Sequence, residues 1–562
     1  MANPQGVHEI CDRFVDDYCE LDPIVATYLG VAGHDDELTD YSLAGHAARA
    51  ELTRTAREAV LTESPDDPSQ EVAQAVFAER SGVELELHDA GLDVASLNVI
   101  ASPVQDLRQI FDLMPTGTAD DWATIAARLA RVPDAVANVR AALSHAADRG
   151  QVSAIRQVRK VAEQCDTWSG SAGRTSFFAT LVAGADAVDG VGQPLRAELA
   201  SAAGAAAAAY HELAAFLRTE LAPKAPEKDA VGAETYQLWS RFFTGAELDQ
   251  QEAYQWGWQE FARLESEMKQ VAGRVTGGGT IAEAAAALDA EARYQLRGQD
   301  GLRDWMQRLS DTALKELRDT HFELPDALLG LECRIAPPGG GVGAYYTGPS
   351  EDFSRPGRMW WSVPADREEF STWREVSTVY HEGVPGHHLQ IATAVYESQT
   401  LNRYQRMMAM TSGHAEGWAL YAERLMAELG YLEDDGNRLG MLDSHLFRAA
   451  RVIVDIGMHL ELEIPRGTGF HEGERWTPEL GLEFMLTRTI TDPAHVRDEI
   501  DRYLGWPGQA PSYKLGERLW LAAREEARRR AGDTFDLKEF HTRALRMGSM
   551  GLDTLRERLM VG

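Results

Sequence analysis

His381-Glu382-Gly383-Val384-Pro385-Gly386-His387-His388 places three histidines around one carboxylate and a Pro-Gly pair. Zinc-peptidase helices ordinarily carry H-E-x-x-H, where histidines one turn apart bind one ion and the intervening Glu activates a water. Here Pro385 stands where the second histidine should be. In a regular helix it would remove one hydrogen bond and clash with the carbonyl of His381, so the helix must kink or bulge. On a straight helix His388 shares a face with His381, but seven residues at 1.5 Å rise put them roughly 10 Å apart, too far for one ion. With Pro385-Gly386 looped out, His381 and His387 can turn to one metal, and bulges of this kind are frequent at functional sites. His387 is preferred to His388 as the second ligand, and Glu382 is the candidate base.

A catalytic zinc with two histidines takes a third protein ligand, often Glu, and keeps one position open for water. In His414-Ala-Glu416-Gly-Trp418-Ala-Leu-Tyr421-Ala-Glu423 two acids lie seven apart on one helical face. Glu416 follows His387 by 416 − 387 = 29 residues and is the expected third ligand. Glu423, two turns on, suits an acceptor that orients a ligand, or a structural ion pair. His-Glu pairs also occur at His211-Glu212 and His471-Glu472, without a partner histidine at useful spacing. They read as surface decoration.

These stretches, with Trp506-Pro-Gly-Gln509-Ala-Pro-Ser-Tyr513-Lys514-Leu-Gly516, resemble the bacterial domain-of-unknown-function 885 family, marked by HExxPGHH, EGWALY and WPGQAxxYKxG. Further similar stretches are Asp22-Pro23-Ile-Val-Ala-Thr27, Tyr345-Tyr346, Ser354-Arg355-Pro356-Gly357 and Arg451-Val-Ile-Val-Asp455-Ile-Gly-Met-His459, so the resemblance runs nearly end to end. It implies a mostly α fold similar to thermostable metallocarboxypeptidases of the gluzincin group. The expected architecture is a large helical metallopeptidase-like fold with a deep cleft and a short strand segment near the metal helix. One departure is Met359-Trp360-Trp361-Ser362-Val363, where the family often has a Tyr-Val-Asn-Thr type of strand.

Composition bounds the reading further. The chain has 562 residues and a charge of 55 − 88 = −33. Such an acidic surface disfavours nucleic acid and anionic membranes. The length exceeds one simple core, so two helical subdomains flanking a cleft are expected, residues 1–275 and 276–562. Cys11, Cys19, Cys165 and Cys333 lack C-x-x-C spacing and indicate neither a disulfide framework nor a cysteine zinc site. No leader or lipidation signal is read in Met-Ala-Asn-Pro-Gln-Gly-Val-His-Glu, and no run reaches the roughly 20 apolar residues of a membrane span. A cytoplasmic location is the expectation.

Apolar residues three and four apart argue for helix almost throughout. Leu195 to Arg218, rich in Ala, should be a packed helix. Glu63 to Pro68 reads as a surface loop, and Gly277-Gly278-Gly279 as a joint between the halves. Pro337 to Gly343 lacks the Lys-Ser/Thr ending of a phosphate loop and reads as a loop or hinge. Arg358 to Val363, bounded by Pro356-Gly357 and Pro364, reads as a short edge strand able to pair with an extended peptide, or as core.

Downstream, Arg448, Arg451, Asp455 and His459 share one helical side, as an ion network or as groups that steady a metal ligand and read a substrate carboxylate. Tyr513 and Lys514 follow a Trp-Pro-Gly turn that could present them to a cleft. By resemblance to metallopeptidases, Tyr513 is assigned to the oxyanion, with Tyr345 and Tyr346 in reserve. The expected activity is zinc-dependent, carboxypeptidase-like hydrolysis of a peptide or small amide, with one Zn2+ per chain. No nucleic-acid or membrane partner is expected, and a homodimer is allowed. Two other readings stay open: an amide hydrolase acting on a non-peptide small molecule, and a non-catalytic helical protein with a structural metal.

Overall fold

A computed structural model describes residues 6–171, 173–336, 343–364 and 367–560. The fold is mostly α, as expected, with two small sheets among the described residues. Most of the Pro337 to Gly343 loop, residues 337–342, lies outside the described residues. The Ala-rich segment forms the helix Gln193–Phe216, and residues 63–67 link the helices Leu43–Thr62 and Pro68–Asp89. Gly277 adopts φ 73° and ends the helix Gln250–Thr276 in the left-handed conformation that only glycine takes without strain. No helix among the described residues is long and apolar enough to cross a membrane.

Buried apolar side chains form two clusters. One is drawn from residues 24–221 and includes Trp122, Phe178 and Tyr210. The other joins residues 7–77 to residues 236–559 and contains Trp373, Trp418 and Trp520.

Glycines set how closely the helices around this second cluster approach. A Cβ on Gly257 would stand 2.9 Å from Val452 Cγ1, where Gln250–Thr276 crosses Asp435–Leu460. A Cβ on Gly440 would meet the Trp373 carbonyl at 2.1 Å, where Asp435–Leu460 crosses Thr372–Glu382. Gly417 and Gly516 face each other where Ser412–Glu428 crosses Ser512–Ala531, with a Cβ on Gly417 only 2.5 Å from the Gly516 carbonyl carbon. Such contacts between backbones leave no room for a side chain.

The expected strand is present as Gly357–Ser362, but it is not an edge. It runs parallel to Leu331–Ile335 on one side and antiparallel to Gly343–Thr347 on the other, so both of its ladders are already paired. The outer side of Leu331–Ile335 is closed by Gln307, which accepts from Cys333 N at 2.9 Å and donates to the Leu331 carbonyl at 2.8 Å. The edge of this sheet next to the Thr372–Glu382 helix is therefore Gly343–Thr347.

Candidate metal centre

The Thr372–Glu382 helix ends one residue after His381, and the next helix starts at His387. Between them Gly383 N donates to the Val379 carbonyl (2.9 Å), Gly386 N to the Tyr380 carbonyl (3.0 Å) and His388 N to the Gly383 carbonyl (3.1 Å). The chain thus folds tightly back against its own last turn. A Cβ on Gly386 would sit 1.9 Å from the His381 carbonyl, so only glycine fits there. This return brings the rings of His381 and His387 to a centroid separation of 4.9 Å at an interplanar angle of 88°.

One ligand atom each from His381, Glu382 and His387 lies within 4.8 Å of the others. Glu416, on the Ser412–Glu428 helix, joins them: its Oε2 is 3.0 Å from His381 Nε2 and 3.7 Å from His387 Nε2. Two ligand atoms roughly 2.1 Å from a tetrahedral zinc stand about 3.4 Å apart. The separations of 3.0 and 3.7 Å bracket that value, so the two imidazoles and Glu416 fit one ion. His387 Nδ1 is buried without a hydrogen-bond partner, and Glu382 makes no side-chain hydrogen bond among the described residues.

Behind His381, on the face away from Glu416, Glu423 Oε1 accepts from Nδ1 at 2.8 Å. Burial alone would lower the His381 pKa, but hydrogen bonds to Glu416 and Glu423 outweigh it and hold the ring at about 10. Burial would raise Glu416 and Glu423; the histidine hydrogen bonds instead hold both well below the ordinary carboxylate range. For Glu382 burial prevails over the nearby His387 and His381 and its pKa is raised. His381, Glu382 and His387 are 3, 8 and 8 % exposed, and the more open side of the cluster is that of Glu416 and the half-buried Tyr513.

His388 points elsewhere. Its Nε2 donates to the Leu328 carbonyl (2.8 Å) and its Nδ1 accepts from Tyr346 OH (2.9 Å), and burial lowers its pKa to about 4. Both ring nitrogens are engaged away from Glu416. Tyr346 is thereby committed to His388, while Tyr345 lies exposed and stacked on Trp360 at 6.1 Å.

Tyr513 starts the Ser512–Ala531 helix and faces the Asp435–Leu460 helix, with Arg451 and Arg448 over its ring at 4.9 and 5.8 Å. Burial, then the charge of Glu416, raise its pKa. Arg448 bonds Ser444 and makes no ion pair among the described residues.

The rest of the downstream row does not reach the cluster. Asp455 accepts from Tyr236 OH (2.7 Å) and Gly508 N (2.9 Å), which pins the Trp506-Pro-Gly turn to the Asp435–Leu460 helix. His459 bonds the Tyr503 carbonyl (3.0 Å), and Arg451 pairs with Glu499 (2.8 Å). The expected pairing of Arg451 with Asp455 is replaced because each side chain finds a partner on a neighbouring element. Lys514, one residue and thus about 100° round the helix from Tyr513, points into the core rather than a cleft. It is fully buried against Glu260, Glu517 and His445.

Three participants were given no role by the sequence: Trp418, although it lies in the EGWALY stretch, and His445 and Glu517, which lie in none of the quoted motifs as functional positions. Trp418 Nε1 donates to the carbonyls of Pro385 (2.9 Å) and Gly386 (3.1 Å), at the start of the second helix, where Gly386 also accepts from Gln390 N (3.3 Å). His445 and Glu517 sit behind Glu423, and only their place inside otherwise apolar helix faces could have flagged them.

Two solved structures share this fold. One is "the putative lipoprotein from Colwellia psychrerythraea", 24% identical, with a TM-score of 0.83 over 99% of this chain and 98% of that one. The other is "a putative lipoprotein of unknown function from Shewanella oneidensis", 18% identical, with a TM-score of 0.74 over 99% and 100%. The cytoplasmic expectation is thereby overturned: it rested on the absence of a leader signal and of a membrane-spanning run, and the same architecture is carried by proteins described as lipoproteins. No curated protein matches the chain. The family model described as "Bacterial protein of unknown function" (DUF885) matches residues 23–559, and the chain belongs to that family.

Proposed function

We propose that the chain is a zinc-dependent peptidase of carboxypeptidase type. The observation that carries this reading is the convergence of His381 Nε2 and His387 Nε2 on Glu416 Oε2, beside a buried carboxylate, Glu382, that has no hydrogen bond of its own. A structural metal site would leave Glu382 without a task. Zinc bound by His381, His387 and Glu416 supplies Lewis acidity, polarising a carbonyl and acidifying a water.

The chain's own groups do the rest. Glu382, whose pKa burial raises, takes a proton from the attacking water and passes it to the departing amine nitrogen. Tyr513 hydrogen-bonds the carbonyl oxygen as it gains charge, and the arginines over its ring keep that region electropositive. Arg448, which makes no ion pair among the described residues, reads the terminal carboxylate of the substrate.

The test is mass spectrometry of a mixed peptide pool incubated with zinc-loaded protein, with Glu382→Gln as the blank. Wild type is expected to remove C-terminal residues, and the variant to keep its zinc and lose about 10²–10⁴-fold in turnover. Equal turnover by both proteins removes Glu382 as the base. No cleavage by zinc-loaded wild type redirects the reading to a small-molecule amide.

A further inference from the structure

Lys514 is a fully buried cation on the Ser512–Ala531 helix. Its Nζ contacts Glu517, lies 3.2 Å from Glu260 Oε1 and 2.9 Å from His445 Nδ1. An ammonium can only donate hydrogen bonds, so His445 Nδ1 must receive with its lone pair. The ring proton of His445 is then on Nε2. That atom stands 3.5 Å from Glu423 Oε2, and neither atom makes a hydrogen bond among the described residues, so each is the nearest polar group the other has to turn to. Burial, then the Lys514 charge, lower the His445 pKa, with Glu517 and Glu423 opposing.

The direction carries on through the carboxylate. Oε2 of Glu423 faces that N–H at 3.5 Å, and its Oε1 accepts from His381 Nδ1 at 2.8 Å. His381 therefore holds its proton on Nδ1, and Nε2 is the nitrogen turned to Glu416 and His387. The relay crosses four helices, Ser512–Ala531, Asp435–Leu460, Ser412–Glu428 and Thr372–Glu382. Glu260 and Glu517, which flank Lys514, also pair outward with Arg263 and Arg424. An anion as deeply buried as Glu423 persists only when paired and hydrogen-bonded in this way.

We infer that Lys514 and His445 are positioning residues which, through Glu423, fix the tautomer and ring orientation of His381 for its ion. The inference rests on the metal-centre reading above. Neither residue touches the substrate side of the cluster.

The experiment combines zinc affinity, measured by competition with a chromophoric chelator, with ¹⁵N spectra of histidine-labelled metal-free wild type. His445→Leu removes both the acceptor for Lys514 and the donor to Glu423. His445→Gln restores them, its Oε1 facing Lys514 and its Nε2–H facing Glu423. The Leu variant is expected to lose about 10–100-fold in zinc affinity while the Gln variant stays within about threefold of wild type. Equal affinity in the Leu variant overturns the relay. The spectra decide the matter if the Leu variant does not fold: a proton on His445 Nε2 alone supports the relay, and a proton on Nδ1 overturns it. Wild type that binds no zinc defeats the metal reading, whereas the His445 tautomer still supports or overturns the relay by itself.

Discussion

The indole nitrogen of Trp418 donates to the carbonyl of Pro385 at 2.9 Å, and in doing so ties the Glu416 helix to the turn that separates His381 from His387. One bond thus fixes the third ligand relative to the first two. Its donor is fully buried, and it serves the carbonyls of Pro385 and Gly386 at the break in the helix. Trp418→Phe keeps most of the apolar contact and removes the donor. The expected loss is about 1–3 kcal/mol in urea unfolding, with weaker zinc binding in chelator competition. Unchanged values for both would show that the turn holds itself.

Gly417 and Gly204 make a matched pair of tests for helix glycines. Gly417→Ala places a methyl 2.5 Å from the Gly516 backbone, and no side-chain rotation relieves it. The two helices must separate, which moves Glu416 and Tyr513 together. Gly204 lies in the helix Gln193–Phe216 with nothing within 4 Å of its would-be Cβ, so Gly204→Ala should raise stability by up to about 1 kcal/mol. Opposite signs in thermal unfolding are the expected result. A tolerated Gly417→Ala would mean that the close crossing is not required.

This contrast marks how much the sequence could reveal. Helix content followed from apolar spacing and Ala, and the interrupted metal helix from one proline at a position no helix interior accepts. His387 was separable from His388 by the geometry of a looped insertion. What stayed hidden depends on partners far apart in the chain. Asp455 and His459 sit at helical spacing from Arg451, yet their partners come from Tyr236, Gly508 and Tyr503, which no local pattern relates to them. Strand Gly357–Ser362 looked like an edge because neither of its neighbours, Leu331–Ile335 and Gly343–Thr347, was legible as a strand. Lys514 looked like a cleft residue because its turn was legible and the buried acids around it were not.

Asp106 gives the first cluster a pH dependence. Burial, then the charge of Asp22, raise its carboxyl to about 7, and the Tyr41 hydroxyl at 3.4 Å offsets only part of this. An acid raised in the folded state favours folding only while protonated. Below the unfolded value of about 3.9 it costs nothing; the penalty grows as pH rises towards 7 and is complete above it, at most about 4 kcal/mol. Asp106→Asn should therefore leave stability near pH 4 little changed and raise it at pH 8. Urea unfolding at the two pH values reads the difference. An equal effect at both would show that the carboxyl is ionised in the fold without penalty.

The two adjacent histidines supply the sharpest test of the centre. His387 Nε2 faces Glu416, and its Nδ1 has no partner; His388 spends Nε2 on the Leu328 carbonyl and Nδ1 on Tyr346 OH. A ligand must offer a free lone pair to the ion, and only His387 has one on that side. His387→Ala should abolish stoichiometric zinc binding while the chain remains folded, because its ring makes no hydrogen bond that the fold would lose: Nε2 only faces Glu416 at 3.7 Å and Nδ1 has no partner. His388→Ala should retain zinc and lose stability instead, since it strands a buried carbonyl and a buried phenol and empties the space against Gly357, where Tyr346 and His388 meet. Zinc content by mass spectrometry and unfolding midpoints on both variants separate the two roles. The reverse outcome, zinc lost with His388→Ala and kept with His387→Ala, would mean that the turn at Pro385-Gly386 opens when the ion binds.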